Sequence, residues 1–178
     1  MQERPILSVK NLSTHFKMVE GVVKAVQDAT FDLYRDEVLG IVGETGSGKS
    51  VTVKAIAGMI DNPGFIAGGE VLFLTDEFSK SGEKEYIDLA KLPKESFSRI
   101  RGKHIGMIFQ DPMTSLDPMY TIGNQMIETI VHHKGVTVEE ARERAVKLLE
   151  QVGIPKPSER INDYPFQLSG GQRQRVVI

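Results

Sequence analysis

Gly43-Glu44-Thr45-Gly46-Ser47-Gly48-Lys49-Ser50 carries the spacing G-x-x-x-x-G-K-S. A backbone with glycines at that spacing can wrap so that several N–H groups converge on a phosphate. The flanks decide the fold around it. Glu37 to Val42 is a short apolar run that reads as a buried strand. Lys49 to Ile60 reads as a helix, with Val51, Ala55, Ile56, Met59 and Ile60 as its apolar positions, and Asp61-Asn62-Pro63-Gly64 ends it with turn chemistry. Strand, glycine loop, helix is the order this P-loop motif requires, and it predicts an α/β fold. A glycine-rich turn beside a surface lysine is the plainer alternative, and it leaves that order unexplained.

The chemistry follows from the geometry. Gly43, Gly46 and Gly48 allow a ligand to approach the backbone closely, and the helix opening after Gly48 offers free N–H groups and the positive end of its dipole. Lys49 supplies a point charge for the β- and γ-phosphates, and the Ser50 hydroxyl is placed for Mg²⁺. Nucleotide contacts are expected along the whole stretch, Gly43, Glu44, Thr45, Gly46, Ser47, Gly48, Lys49, Ser50 and Val51. Glu44 occupies a free position of the loop and reads as solvated rather than as a catalytic base.

A second motif, Leu168-Ser169-Gly170-Gly171-Gln172, precedes a helical stretch. Ser169 and Gln172 have capping-box spacing, which explains a helix start. It does not explain Gly170 and Gly171, each of which costs a helix about 0.5–1 kcal/mol relative to alanine. Bare backbone at a helix N-terminus makes sense where an anion must approach it.

Together with these two motifs, the run Ile108-Phe109-Gln110-Asp111-Pro112-Met113-Thr114-Ser115-Leu116-Asp117-Pro118 and the block Tyr164 to Arg175 give the chain a resemblance. From Leu7 onward it resembles the nucleotide-binding subunit of an ABC transporter, of the dipeptide/oligopeptide importer type. The resemblance implies a P-loop NTPase (RecA-like) core with an antiparallel β subdomain and an inserted helical subdomain. The implied divisions are 1–110 for the core, 111–168 for the helical subdomain and 169–178 for the start of the signature helix.

The resemblance also assigns roles. Gln110 becomes the glutamine that contacts Mg²⁺ and the attacking water, so Gln110 and Lys49 are the catalytic candidates and Ser50 and Gln110 the metal contacts. Phe16 becomes the aromatic stacked on adenine, with His15 its nearest rival. Ser169, Gly170, Gly171 and Gln172 would act in trans, on ATP held by the P-loop of a second ATPase subunit, identical or homologous. The implied cofactors are ATP and Mg²⁺. The implied partners are two integral membrane permease subunits, met by the stretch Asp111 to Tyr120, and indirectly an external peptide-binding protein. The implied location is peripheral, on the cytoplasmic face of the membrane. In relatives an Asp, a Glu, a further Asp and a His follow the signature helix on positions this sequence does not contain. The 178 residues are therefore expected to bind nucleotide at best, without turning it over, and to leave a sheet edge unpaired. A non-transport ABC ATPase of DNA repair or translation, or a non-catalytic docking piece, is the alternative reading.

Composition narrows the classes further. There are no cysteines, which excludes disulfides and thiolate metal sites, and the net charge of −2 gives no reason to expect nucleic-acid binding. No apolar run approaches the roughly 18 residues of a membrane helix, and the N-terminus lacks a signal-peptide core. Strand-like runs at Ile6–Val9, Val22–Val26, Thr30–Leu33 and Glu70–Leu74 precede an exposed polar excursion, Thr75 to Glu85, from which Ile87–Leu89 returns. His104 to Gln110 reads as a short strand. Thr137-Val138-Glu139-Glu140 is a capping box opening an amphipathic helix that Gly153 and Pro155 close. His132-His133 has no partner at metal-ligand spacing, Arg173 and Arg175 read as a solvated helix face, and Tyr164 reads as packing.

Overall fold

The computed structural model describes residues 4–109 and 115–178. The chain divides into two compact units, Met1–Ile105 and Gly106–Ile178.

The first unit is built on an antiparallel sheet of order β2-β1-β3-β4, formed by β1 (Leu7–Met18), β2 (Gly21–Leu33), β3 (Gly64–Thr75) and β4 (Glu85–Asp88). The two short runs read at Val22–Val26 and Thr30–Leu33 are one strand, β2. Its irregularities are taken up by bulges, because Thr14 pairs with Val26 while the next residue, His15, pairs with Lys24. Ala25 is the extra residue. One face of the sheet buries Val9, Leu12 and Val71 with Ala55 and Ile56 of α1 (Lys49–Ile56), and with Leu89 and Phe97 beyond β4. Burying a side chain of this size contributes about 1.5–3 kcal/mol. Helix α1 is shorter than its apolar pattern suggested. It closes at Gly58 in a Schellman turn, Met59 N–H to Lys54 O at 2.8 Å and Gly58 N–H to Ala55 O at 3.1 Å.

The excursion after β3 returns to the sheet as expected, with Thr75 opposite Glu85 and Leu72 opposite Asp88. It is not merely exposed. Glu77 lies in it with a side chain only 10% exposed, accepting from Arg99 Nε at 3.0 Å, from His104 Nε2 at 3.1 Å and from Lys103. The Lys103 and His104 hydrogen bonds, with that of Arg99, outweigh desolvation and hold the Glu77 carboxyl down at about 2.

Two expected strands do not form. Residues 37–42 belong to no strand, and Val38 and Val42 are 96% and 92% exposed. Residues 104–109 show an isolated Arg101–Ile105 bridge in place of a ladder. A strand exists through its neighbour's hydrogen bonds, and among the described residues these apolar runs have no ladder partner.

The second unit is helical. Its helices are α2 (Ile122–Lys134), α3 (Val138–Gln151), the single turn α4 (Pro157–Arg160) and α5 (Gly170–Val177). Ile122, Ala145, Leu149, Ile154, Ile161 and Leu168 form its core. The caps are local chemistry: Thr121 Oγ1 accepts from Asn124 N–H, and Thr137 with Glu140 makes the expected capping box. Helix α3 ends in another Schellman turn, Ile154 N–H to Leu149 O and Gly153 N–H to Glu150 O, both 2.9 Å, with Gly153 at φ +72°. Among the described residues no helix is long and apolar enough to cross a membrane.

Candidate functional site

The P-loop residues come together at the start of α1. Gly48 stands at the N-cap with φ +90°, and no side chain caps the helix, so its first N–H groups are left without an intrahelical partner. A Cβ added to Gly48 would lie 2.5 Å from the Ala25 carbonyl oxygen. The position therefore demands glycine twice, by conformation and by contact. Ala25 is the bulged residue of β2, and it joins Gly46, Ser47, Gly48, Lys49, Ser50 and Val51 in lining a depression of about 160 Å³. Sequence reasoning missed Ala25, since nothing in a lone alanine marks a bulge.

Lys49 folds back over this depression. Its ammonium donates to the carbonyls of Gly43 and Glu44, both at 2.7 Å, and to Ser47 Oγ at 3.4 Å. Ser47 N–H closes the turn on Glu44 O at 3.2 Å. At Gly43 a Cβ would meet the Ser47 hydroxyl at 2.6 Å, a contact that rotation of that side chain can relieve. Glu44 and Thr45 are exposed, and Thr52 Oγ1 holds Gly48 O at 3.0 Å from the next turn.

Phe16 lies half-buried on β1, opposite Val23 and Gly64, and its ring reaches the space beside Gly64 where Ile60 also lies. It therefore sits on the sheet face that carries α1. His15, the rival, turns to the other face, where its ring meets Phe65 edge-on at 5.9 Å. Neither lines the depression under Lys49. Gln110 lies outside the described residues.

In the second unit, Ser169 is the N-cap of α5, and the expected box is complete: Ser169 N–H donates to Gln172 Oε1 at 2.9 Å and Gln172 N–H to Ser169 Oγ at 3.3 Å. A Cβ on Gly170 or Gly171 would meet nothing within 4 Å. Among the described residues no packing contact requires glycine at either position. Arg173 is half-buried, whereas Arg175 is exposed as its sequence suggested. The Arg175 guanidinium donates to Gly153 O at 2.9 Å and to Val152 O at 3.3 Å. Among the described residues no group of three or more His, Cys, Asp or Glu could hold a metal ion.

A family model described as "ABC transporter" matches residues 26–178. The chain belongs to the ABC transporter family. The oligopeptide transport ATP-binding protein OppD of Bacillus subtilis is 47% identical over 174 residues, 97% of this chain and 46% of that protein. The dipeptide transport ATP-binding protein DppD of Lactococcus lactis is 47% identical over 179 residues, 100% of this chain and 48% of that protein. The chain thus spans about half the length of the curated relatives it matches. A dimeric post-hydrolysis structure of the ATP-binding cassette MJ0796, bound to ADP and Pi, superimposes with a TM-score of 0.77 at 27% identity, covering 96% of this chain and 66% of that one. The fold is that of an ABC ATPase, with α/β organisation and a P-loop NTPase core.

Proposed function

We propose that this chain is the nucleotide-binding part of an ATPase subunit that powers an ABC importer of di- or oligopeptides. The observation that carries the reading is a pair of glycine-bearing helix starts with different constraints. Gly48 is demanded by the loop's own contacts, whereas a Cβ on Gly170 or Gly171 would meet nothing among the described residues. The first is a finished phosphate seat, and the second is a surface waiting for an anion from outside the chain. Relatives named for oligopeptide and dipeptide transport support the substrate class.

In this reading Lys49 leaves the Gly43 and Glu44 carbonyls for the β- and γ-phosphates of ATP, and the N–H groups of Gly46 and of Gly48 to Val51 hold the remaining phosphate oxygens. Ser50, in the first turn of α1, and Gln110 would hold Mg²⁺ together with the phosphates; a bound Mg²⁺ neutralises charge that develops on transfer. Phe16 offers the adenine a ring on the α1 side of the sheet. Ser169, Gly170, Gly171 and Gln172 present their N–H groups and hydroxyl to the ATP of a second ATPase subunit, so each of two sites is completed across a dimer. The subunit would sit peripherally at the cytoplasmic face, docked on two permease subunits by the stretch after Gln110, with a peptide-binding protein outside.

The test is co-purification of the full-length protein with integral membrane subunits, combined with peptide-stimulated ATP hydrolysis in vesicles. ATPase activity that is lost in K49A and rises with peptide and its binding protein supports the reading. Full ATPase activity with no membrane partner and no response to peptide overturns the importer assignment.

A further inference from the structure

Helix α5 rests on the helical unit through one half-buried face, Gln172, Arg173, Val176 and Val177, and none of its residues is fully buried. Leu168, 3% exposed, anchors the residue before its N-cap, and Val176 reaches the edge of the helical unit's core. Those contacts are apolar and non-directional.

Arg175, itself exposed, adds directional hydrogen bonds. Its Nη1 donates to Gly153 O at 2.9 Å and Val152 O at 3.3 Å, and its Nε to Gly171 O at 3.4 Å. The first two acceptors are the carbonyls of the Schellman turn that ends α3, where a cation is favoured by the helix dipole. The third is the carbonyl of a signature glycine. One planar guanidinium thus spans the C-terminus of α3 and the first turn of α5. The corner is built to size: a Cβ on Gly153 would lie 3.2 Å from Nη1.

We infer that Arg175 is a positioning residue for the signature turn, a latch that sets the rotation of α5 and thereby the aim of the Ser169, Gly170 and Gly171 N–H groups. The inference rests on the proposed role of that turn in trans. A lysine keeps the charge but has no rigid fork to span three carbonyls in two directions.

The test compares R175A and R175K with wild type in the full-length protein, reading ATP affinity, kcat and KM, and amide exchange over residues 169–173. R175A is expected to lower kcat at least tenfold while ATP affinity stays within twofold, since the P-loop seat lies in the other unit. R175K should recover part of kcat, and signature-turn amides should exchange faster in R175A than in R175K. An unchanged kcat in R175A overturns the inference, as does a joint fall of kcat, affinity and unfolding midpoint that R175K does not relieve. If wild type shows no ATP turnover, the proposed function fails first. The exchange data then decide alone: unaltered exchange at Gly170 to Gln172 in R175A overturns the latch, and faster exchange supports it.

Discussion

Lys49 donates its ammonium to the Gly43 carbonyl oxygen at 2.7 Å, across the mouth of the loop that both residues define. The loop is folded on its own lysine, the residue that the proposed function assigns to the phosphates. Lys49→Ala should therefore remove both the phosphate's partner and the clasp between the ends of the loop. A hydrogen bond to a charged group is worth about 1.5–3 kcal/mol, so nucleotide affinity should fall by roughly tenfold to a hundredfold. Titration with a fluorescent ATP analogue checks this; an affinity within twofold of wild type would remove Lys49 from the site.

Gly48→Ala and Gly170→Ala should part company. At Gly48 a side chain meets a left-handed φ, costing about 1–2 kcal/mol, and a carbonyl 2.5 Å away. Its thermal midpoint should fall by at least about 2 °C. At Gly170 a methyl meets open space. There the helix gains up to about 1 kcal/mol, so the midpoint should hold or rise while ATP turnover in the full-length protein drops. Paired melting curves and turnover measurements distinguish them, and equal destabilisation of both variants would contradict the contrast.

Acid should loosen the excursion after β3. The Glu77 carboxyl, held at about 2 by hydrogen bonds from Lys103, His104 and Arg99, titrates near 4.5 when free. A depressed folded value means stability that is fully present above the unfolded value and is lost as pH falls toward the folded one. Wild type should lose more stability than Glu77→Gln between about pH 5 and pH 2, and the two should converge at the acid end of that window. Urea midpoints measured at steps through the window test the sign; parallel curves would show that the clamp does not contribute.

Leu168→Ala should cost about 2–5 kcal/mol, the range for truncating a buried leucine. Leu168 belongs to the helical unit's core with Ile122 and Leu149, and it is bonded to the N-cap of α5. The loss should appear both as a lower denaturation midpoint and as faster amide exchange at Ser169 to Gln172. A variant that melts like wild type would mean the unit collapses around the gap.

What was legible in the sequence was local. The Thr137–Glu140 and Ser169–Gln172 boxes close over three residues, and the loop from Gly43 to Ser50 over seven, so residue types and spacing sufficed. What was not legible needed distant partners. The run at 37–42 has strand composition, but ladder hydrogen bonds must come from a neighbour. Glu77 is gripped from Arg99 to His104, more than twenty positions along the chain. Arg175 finds its carbonyls at 152 and 153, again more than twenty away. Tertiary folding gives these charged side chains partners that pattern alone could not name, with the Glu77 side chain largely buried and Arg175 still exposed. His15 and Phe16 could be separated only once the pairing of β1 with β3 assigned them to opposite faces.

The bulge at Ala25 leaves the shape of the phosphate seat partly in the keeping of a strand that gives it no functional side chain. Its contact with Gly48 is made by a main-chain oxygen. An alanine scan would pass over this position in silence, because alanine is already there. Only an edit to the backbone would expose it: deleting one residue from β2 would straighten the ladder and draw the carbonyl away from the loop.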